Sequence, residues 1–327
     1  MRQFSEIGGL TSREACEAAG IACWVVFAAA ACCSLFLTVQ TAKAQTDATL
    51  AWAPKPAHVA PYRSPNKPIW KLSQILEKHA KQSNWTETLV DTPSFMAAYI
   101  SMAPGGHTQK LFYSDDRTFW VVQAGQIRFE IEGQPAFVAS KGFLVQVPSR
   151  VPFTLETIGD VPSLRFEVHP SEPPIFPIAE KPMPIRGITY IQGSFKGHGT
   201  YDDQNKPFLD FEKDIVQAHA KPPAAFLEDP YMAVEIFRGP PVPIPAETDR
   251  GHFRANLPGC WFVLEGKEDF LIEGVAPFVA DAGDVVFAPV GRWHRVTAGG
   301  EGVSTRLAIN ARPGNLHWYQ PSSARGQ

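Results

Sequence analysis

The chain is a tandem duplication, and this constrains its fold more than any other feature. Displaced by 141 residues, FWVVQAG (119–125) lies on CWFVLEG (260–266), and FEIEGQPAFVASKG (129–142) lies on FLIEGVAPFVADAG (270–283) without a gap. Trp120 meets Trp261, Gly125 meets Gly266, Gly133 meets Gly274, Phe137 meets Phe278, Gly142 meets Gly283 and Pro148 meets Pro289. A self-match so dense in Gly, Pro and aromatic residues implies two copies of one structural unit. Upstream, FMAAYI (95–100) answers YMAVEI (231–236) at a displacement of 136, which gives the second copy five extra residues around GPPVPIPAETDRG.

Each copy consists of short segments rich in Val, Ile and Phe, broken at close intervals by Gly, Pro or Asp. That pattern predicts an antiparallel sandwich or barrel. KLSQILEKHA (71–80) and LDFEKDIVQAHA (209–220) space their apolar residues by three and four, which predicts a short helix before each copy. APKPAHVAPYRSPNKP (53–68) and PSEPPIFPIAEKPMPI (170–185) read as extended, semi-rigid connections. With 44% hydrophobic residues in 327, the chain has enough apolar material for ordinary globular cores. A formal net charge of −3 without a Lys/Arg run argues against a nucleic-acid surface.

The segment GDVVFAPVGRWH (283–294) resembles the second cupin motif, G-x5-P-x-G-x2-H, at Gly283, Pro289, Gly291 and His294. The first cupin motif, G-x5-H-x-H-x3-4-E-x6-G, is poorly matched. Counting back from Gly266 puts Gly259 at its glutamate, Arg254 and His252 at its two histidines, and Ala246 at its leading glycine. The first copy keeps Gly106, Gly125, Gly142 and Pro148. Its ligand positions fall on Leu111 or Phe112, Tyr113 or Ser114, Thr118, and Phe153.

The resemblance spans about residues 70–320 and implies a bicupin, two jelly-roll barrels in one chain; with the helices and the leader read from the residues themselves, the expected fold is all-β, two tandem barrels each preceded by a short helix, after a signal peptide. The expected organisation is a signal peptide (1–44), a Pro-rich lead-in (45–69), a degenerate N-terminal barrel (70–170), a Pro-rich linker (171–207), a C-terminal barrel with the candidate site (208–320) and a tail (321–327). The family pattern supplies three His and one Glu to a metal. The second copy keeps two of these four, His252 and His294, and the first keeps none. The first barrel is therefore expected to be a packed partner, with Phe153 filling the place that His294 takes in the second.

Alternation along a strand puts Arg254 on the same face as His252. Its guanidinium stays charged, and a dication about 4 Å away would meet a repulsion of roughly 8 kcal/mol at an effective dielectric near 20. Gly259 also removes the motif's carboxylate. A site for Fe, Mn, Ni or Zn would then need His252 and His294 joined by Glu247 or Asp249 from the inserted loop. The same trio suits an anion: Arg254 can hold a carboxylate or phosphate, and His252 or His294 can exchange a proton, with Gly259 leaving room for a ligand.

Three functions stay open. The first is an exported bicupin that binds a small, acidic metabolite, as a binding protein or as a metal-independent acid–base enzyme using His252, Arg254 and His294. The second is a metal-dependent dioxygenase or decarboxylase, and the third a structural, oligomer-forming protein. The expected partner is a small molecule, with a second copy of the chain as a further candidate and no nucleic acid. Trp120 and Trp261 are expected in the cores, and Cys260 on the face opposite the site. His107, His169, His198 and His317 lie outside the motifs.

The first 44 residues differ in kind. Residues 21–39 are apolar throughout, and Ala42-Lys43-Ala44 supplies the small residues of a cleavage signal before Gln45. The stretch preceding the apolar run is slightly acidic, with Arg2 and Arg13 against Glu6, Glu14 and Glu17. Uncleaved, the leader would be a membrane anchor; cleaved, it leaves a periplasmic or secreted protein. Cleavage also removes four of the five cysteines and leaves Cys260 alone, so no internal disulfide can form. N-terminal sequencing of the exported protein should therefore begin at Gln45, with one titratable thiol per unfolded chain; a mature chain starting at Met1 would overturn this reading.

Overall fold

The computed structural model describes residues 50–312 and 316–321. The leader, with its cleavage signal, and residues 322–327 lie outside the described residues. The chain begins with strand β1 (Ile69–Trp70) and helix α1 (Leu72–Lys78). Eight strands follow: β2 (Trp85–Asp91), β3 (Met96–Met102), β4 (Thr118–Ala124), β5 (Gln126–Ile131), β6 (Phe137–Ser140), β7 (Phe143–Val147), β8 (Phe153–Ile158) and β9 (Ser163–His169). The second half opens with β10 (Phe208–Asp210) and a π-type helix α2 (Phe211–Gln217). It continues through β11 (Ala224–Glu228), β12 (Met232–Gly239), β13 (His252–Arg254), β14 (Gly259–Glu265), β15 (Lys267–Ile272), β16 (Phe278–Asp281), β17 (Val285–Ala288), β18 (His294–Gly299), β19 (Ser304–Ala311) and β20 (His317–Tyr319).

Each half is an antiparallel barrel of two sheets. The first combines β10-β7-β4-β9-β3-β2 with β6-β5-β8, the second β1-β17-β14-β19-β12-β11 with β16-β15-β18-β13-β20. The pairings repeat at the displacement read from the sequence: Trp120 faces Val145 and Trp261 faces Val286, while Ile131 faces Phe153 and Ile272 faces His294. One alignment needs correcting. Tyr99 faces Phe166 and Ile236 faces Leu307, so β3 and β12 match at a displacement of 137, not 136. The repeating face decides this, because a slip of one residue would turn Tyr99 and Ile236 out of the core.

The strand sequences explain the layers. In β5, Ile127, Phe129 and Ile131 are buried while Gln126, Arg128 and Glu130 are exposed, as for a sheet with one wet face. In β4 the run TFWVV is buried on both sides. Trp120 and Val122 enter the barrel interior, and Phe119 and Val121 join a second core between the two six-stranded sheets. That inter-barrel core also takes Tyr99 and Phe166 from one half and Val234, Cys260, Phe262 and Leu307 from the other. Cys260 thus packs on the face away from the candidate site.

The lead-in elements are exchanged between the halves. β1, which precedes the first barrel, pairs with β17 of the second, and β10, which precedes the second, pairs with β7 of the first. The Pro-rich segments follow suit. The lead-in lies on the second barrel, with Lys55 2.8 Å from Glu273 and Arg292 donating to the Ala60 carbonyl at 2.5 Å. The linker lies on the first, where Arg150 donates to the Lys196 carbonyl and Arg117 to that of Thr200. Both are clamps on a barrel rim.

The first barrel is filled as Phe153 implies. Its ring is buried against Trp120, centroids 5.0 Å apart in an edge-on arrangement. It is not free of charge, however. Half-buried Glu167 accepts from Trp120 Nε1 at 2.7 Å and from Arg165 Nε at 3.0 Å, and the desolvation of its carboxyl is outweighed by Arg165, which holds its pKa below the usual range. Among the described residues no helix is long and apolar enough to cross a membrane. Replacing Phe153 by Ala should lower unfolding stability by about 3–5 kcal/mol. The check is urea denaturation, and a loss below 1 kcal/mol would contradict a packed first barrel.

Candidate functional site

The site is built on β13, a three-residue strand between β18 and β20, with His252 opposite His294 on one side and Tyr319 on the other. In the first half, the bridge between Leu111 and Phe153 occupies the same register. The motif glycine Gly291 has φ +78 in the turn before β18, and an added Cβ there would press on Pro56 of the lead-in. That turn delivers His294 to the interior, where its Nδ1 donates to the Arg292 carbonyl at 2.9 Å.

Around His252 the rings of His294, His317 and Tyr319 lie 4.4, 4.5 and 5.1 Å away, centroid to centroid, and Trp261 closes on His294 at 5.0 Å. Arg254, only 3% exposed, donates from Nε to His317 Nε2 at 2.8 Å and from Nη1 to the Pro258 carbonyl at 3.2 Å. Its Nη2 donates to Asn310 Oδ1, and Asn310 in turn donates to Glu235 at 3.3 Å. Among the described residues no carboxylate forms an ion pair with Arg254. Deeper in the barrel, Arg306 is neutralised by buried Glu268 at 3.0 Å and lies over the Phe237 ring. The cluster reaches solvent through half-buried His252 and His317 and exposed Tyr319.

The structure thus brings His252, Arg254 and His294 together and leaves Glu247 and Asp249 apart. Arg295, next to His294 in sequence, points to the opposite face of β18. It donates to the carbonyls of Pro245, Ala246 and Asp249, which pins the inserted loop outside the barrel. Glu247 lines an outer cleft there with Ile244, Phe278 and Arg295, and the Asp249 carboxylate accepts from the Gly251 amide. The room expected beside Gly259 is taken: a Cβ at that position would meet the Trp261 ring at 2.3 Å. Sequence reasoning missed His317, Asn310, Glu235 and Tyr319. The one available signal was the alternation in HWY (317–319), which puts His317 and Tyr319 on one strand face.

The side chains do not suit a divalent metal. His317 Nε2 already accepts a hydrogen bond from Arg254, the guanidinium is a fixed cation among the rings, and among the described residues no carboxylate joins them. Among the described residues no group of three or more His, Cys, Asp or Glu is arranged to hold a metal ion.

No family's sequence model matches the chain, and no curated protein matches it. Solved structures do. A salicylate 1,2-dioxygenase from Pseudaminobacter salicylatoxidans aligns with a TM-score of 0.54 at 13% identity, over 86% of this chain and 92% of that one. At that coverage the match takes in both barrels. The fold is a bicupin. An oxalate decarboxylase from Bacillus subtilis aligns at 0.46 and 14% identity over 84% and 80% of the two chains, and a cupin 2 conserved barrel domain protein from Leptotrichia buccalis at 0.47 and 12% over 75% and 96%.

Burial and the neighbouring cations hold all three histidines of the bicupin's second barrel neutral. Desolvation, then His294, His317 and Arg254, pushes His252 down to about 2; desolvation and Arg254 push His294 to about 3 and His317 to about 4. Below pH 6.5 the unfolded chain takes up protons that these folded sites refuse, so stability is greatest above that value and falls as pH drops. For His294 alone the loss at pH 5 should be roughly 2 kcal/mol. Thermal unfolding from pH 7.5 to 5 should show the decline in the wild type and a shallower one in His294→Phe; equal slopes would contradict neutral burial.

Proposed function

We propose that this bicupin is an exported protein that binds a small, carboxylate-bearing molecule in its C-terminal barrel, as a binding protein or a metal-independent acid–base enzyme. The observation that carries this reading is Arg254, a guanidinium buried among neutral rings with no ion-pair partner among the described residues. An unpaired buried charge is costly, and burial lowers its pKa to about 10. An anion would complete it and turn the cost into a charge-assisted contact. His252 and His294, neutral before binding, would gain protons more readily beside that anion, which gives them an acid–base role.

A metal-dependent dioxygenase or decarboxylase is the second reading. It is supported by the cluster of three neutral imidazoles, His252, His294 and His317, and it requires the hydrogen bond between Arg254 and His317 to break. Elemental analysis of protein purified without chelators separates the two. The first reading expects no stoichiometric metal, whereas about one Fe, Mn, Ni or Zn per chain would overturn it. Under the first reading, Arg254→Met should cost roughly 1.5–3 kcal/mol of binding for acids found in a calorimetric screen. Unchanged affinity in that variant would move the site elsewhere.

A further inference from the structure

Two of the three histidines have their tautomers fixed by groups that can play only one role. The Arg292 carbonyl can only accept, so His294 carries its proton on Nδ1 and leaves a lone pair on Nε2. That Nε2 is buried and, among the described residues, meets no hydrogen-bond partner. Arg254 can only donate, so His317 Nε2 carries a lone pair and the His317 proton sits on Nδ1. The backbone fixes the first assignment firmly: Arg292 is itself buried, bonded to the carbonyls of Glu273 and Ala60 and stacked over Tyr62.

The second barrel therefore offers two unlike contacts on either side of the His252 ring. On the Arg254 and His317 side it presents a cation and donors; at His294 it presents an unfilled acceptor. A carboxylate alone would satisfy the first and leave the second unpaired, and two oxygens bearing only lone pairs would repel at His294 Nε2. An ammonium group could donate there, but Arg254 acts on this space as a cation and disfavours a second. A hydroxyl donates without bringing charge.

Resting on the anion reading above, we infer that the ligand is a hydroxycarboxylic acid, with its carboxylate towards Arg254 and its hydroxyl donating to His294 Nε2. A buried acceptor left unpaired discriminates strongly against an analogue lacking the donor.

The test uses the purified protein and matched probes in calorimetry: lactate against propionate and lactamide, and mandelate against phenylacetate and mandelamide. The expected result is that at least one hydroxy acid binds about tenfold or more tighter than both its deoxy and its amide counterpart. In His294→Phe, which installs the residue found at the equivalent place in the first barrel, the hydroxyl preference should vanish while acid is still preferred over amide. His294→Leu serves equally if the first variant fails to fold, and the wild-type pairs decide without either. Acids that bind with no hydroxyl preference, or a preference that survives the His294 variants, would overturn this inference and leave the anion reading standing. Absence of binding by every acid, or equal binding of acid and amide, would overturn both.

Discussion

The face shared by the two six-stranded sheets governs the rest of the molecule. Phe166 of one half packs on Phe262 of the other at 4.6 Å, Tyr99 touches the same ring at 6.4 Å, and the Tyr99 hydroxyl donates across the boundary to the Gly283 carbonyl. Each large side chain buried there stabilises the fold by about 1.5–3 kcal/mol. Because this core takes one face of β4, β9, β14 and β19, only the inner faces of those strands are left for chemistry: they are apolar in β4 and β14 but carry Arg165 and Glu167 in β9 and Arg306 and Asn310 in β19.

On those inner faces the two halves diverge through few substitutions. Arg165 and Arg306 stand at the same register, facing Ile100 and Phe237. In the first barrel the arginine is answered by Glu167 two residues on, which also accepts from the Trp120 indole, and Phe153 seals the space above. In the second, Ala308 replaces that glutamate, and Glu268 reaches Arg306 from β15. Arg254 then has no direct ion pair among the described residues, and Glu235 reaches it only through Asn310. The inequality of the barrels is an inequality of charge balance on a common backbone.

Much of this was legible in the chain. The 141-residue repeat fixed the pairing of equivalent strands, and the alternation of His252 and Arg254 placed both inside. What stayed illegible was long-range. The one-residue error at β3 and β12 arose because FMAAYI and YMAVEI align almost as well out of phase, and only the pairing with β9 and β19 shows which residues face the shared core. The space expected at Gly259 was lost to the Trp261 ring, since a glycine in a strand leaves room for a neighbour as readily as for a ligand. His317 lies beyond both motifs, and no local pattern announces that its strand returns beside β13.

The exchange of β1 and β10 bears on how the chain is made. Ile69, synthesised early, has its partner at Val286, near the end, while the first barrel's edge at Val145 waits for Phe208. Neither sheet can be completed while the ribosome has delivered only its own half. A chain threaded across a membrane from its N-terminus would therefore carry an unpaired β7 edge until the middle of translocation, and the β1 arm would stay undocked until almost all of the protein had emerged. Exposed edges invite association with other chains, so a chain threaded in this way would most need a helper that shields strand edges.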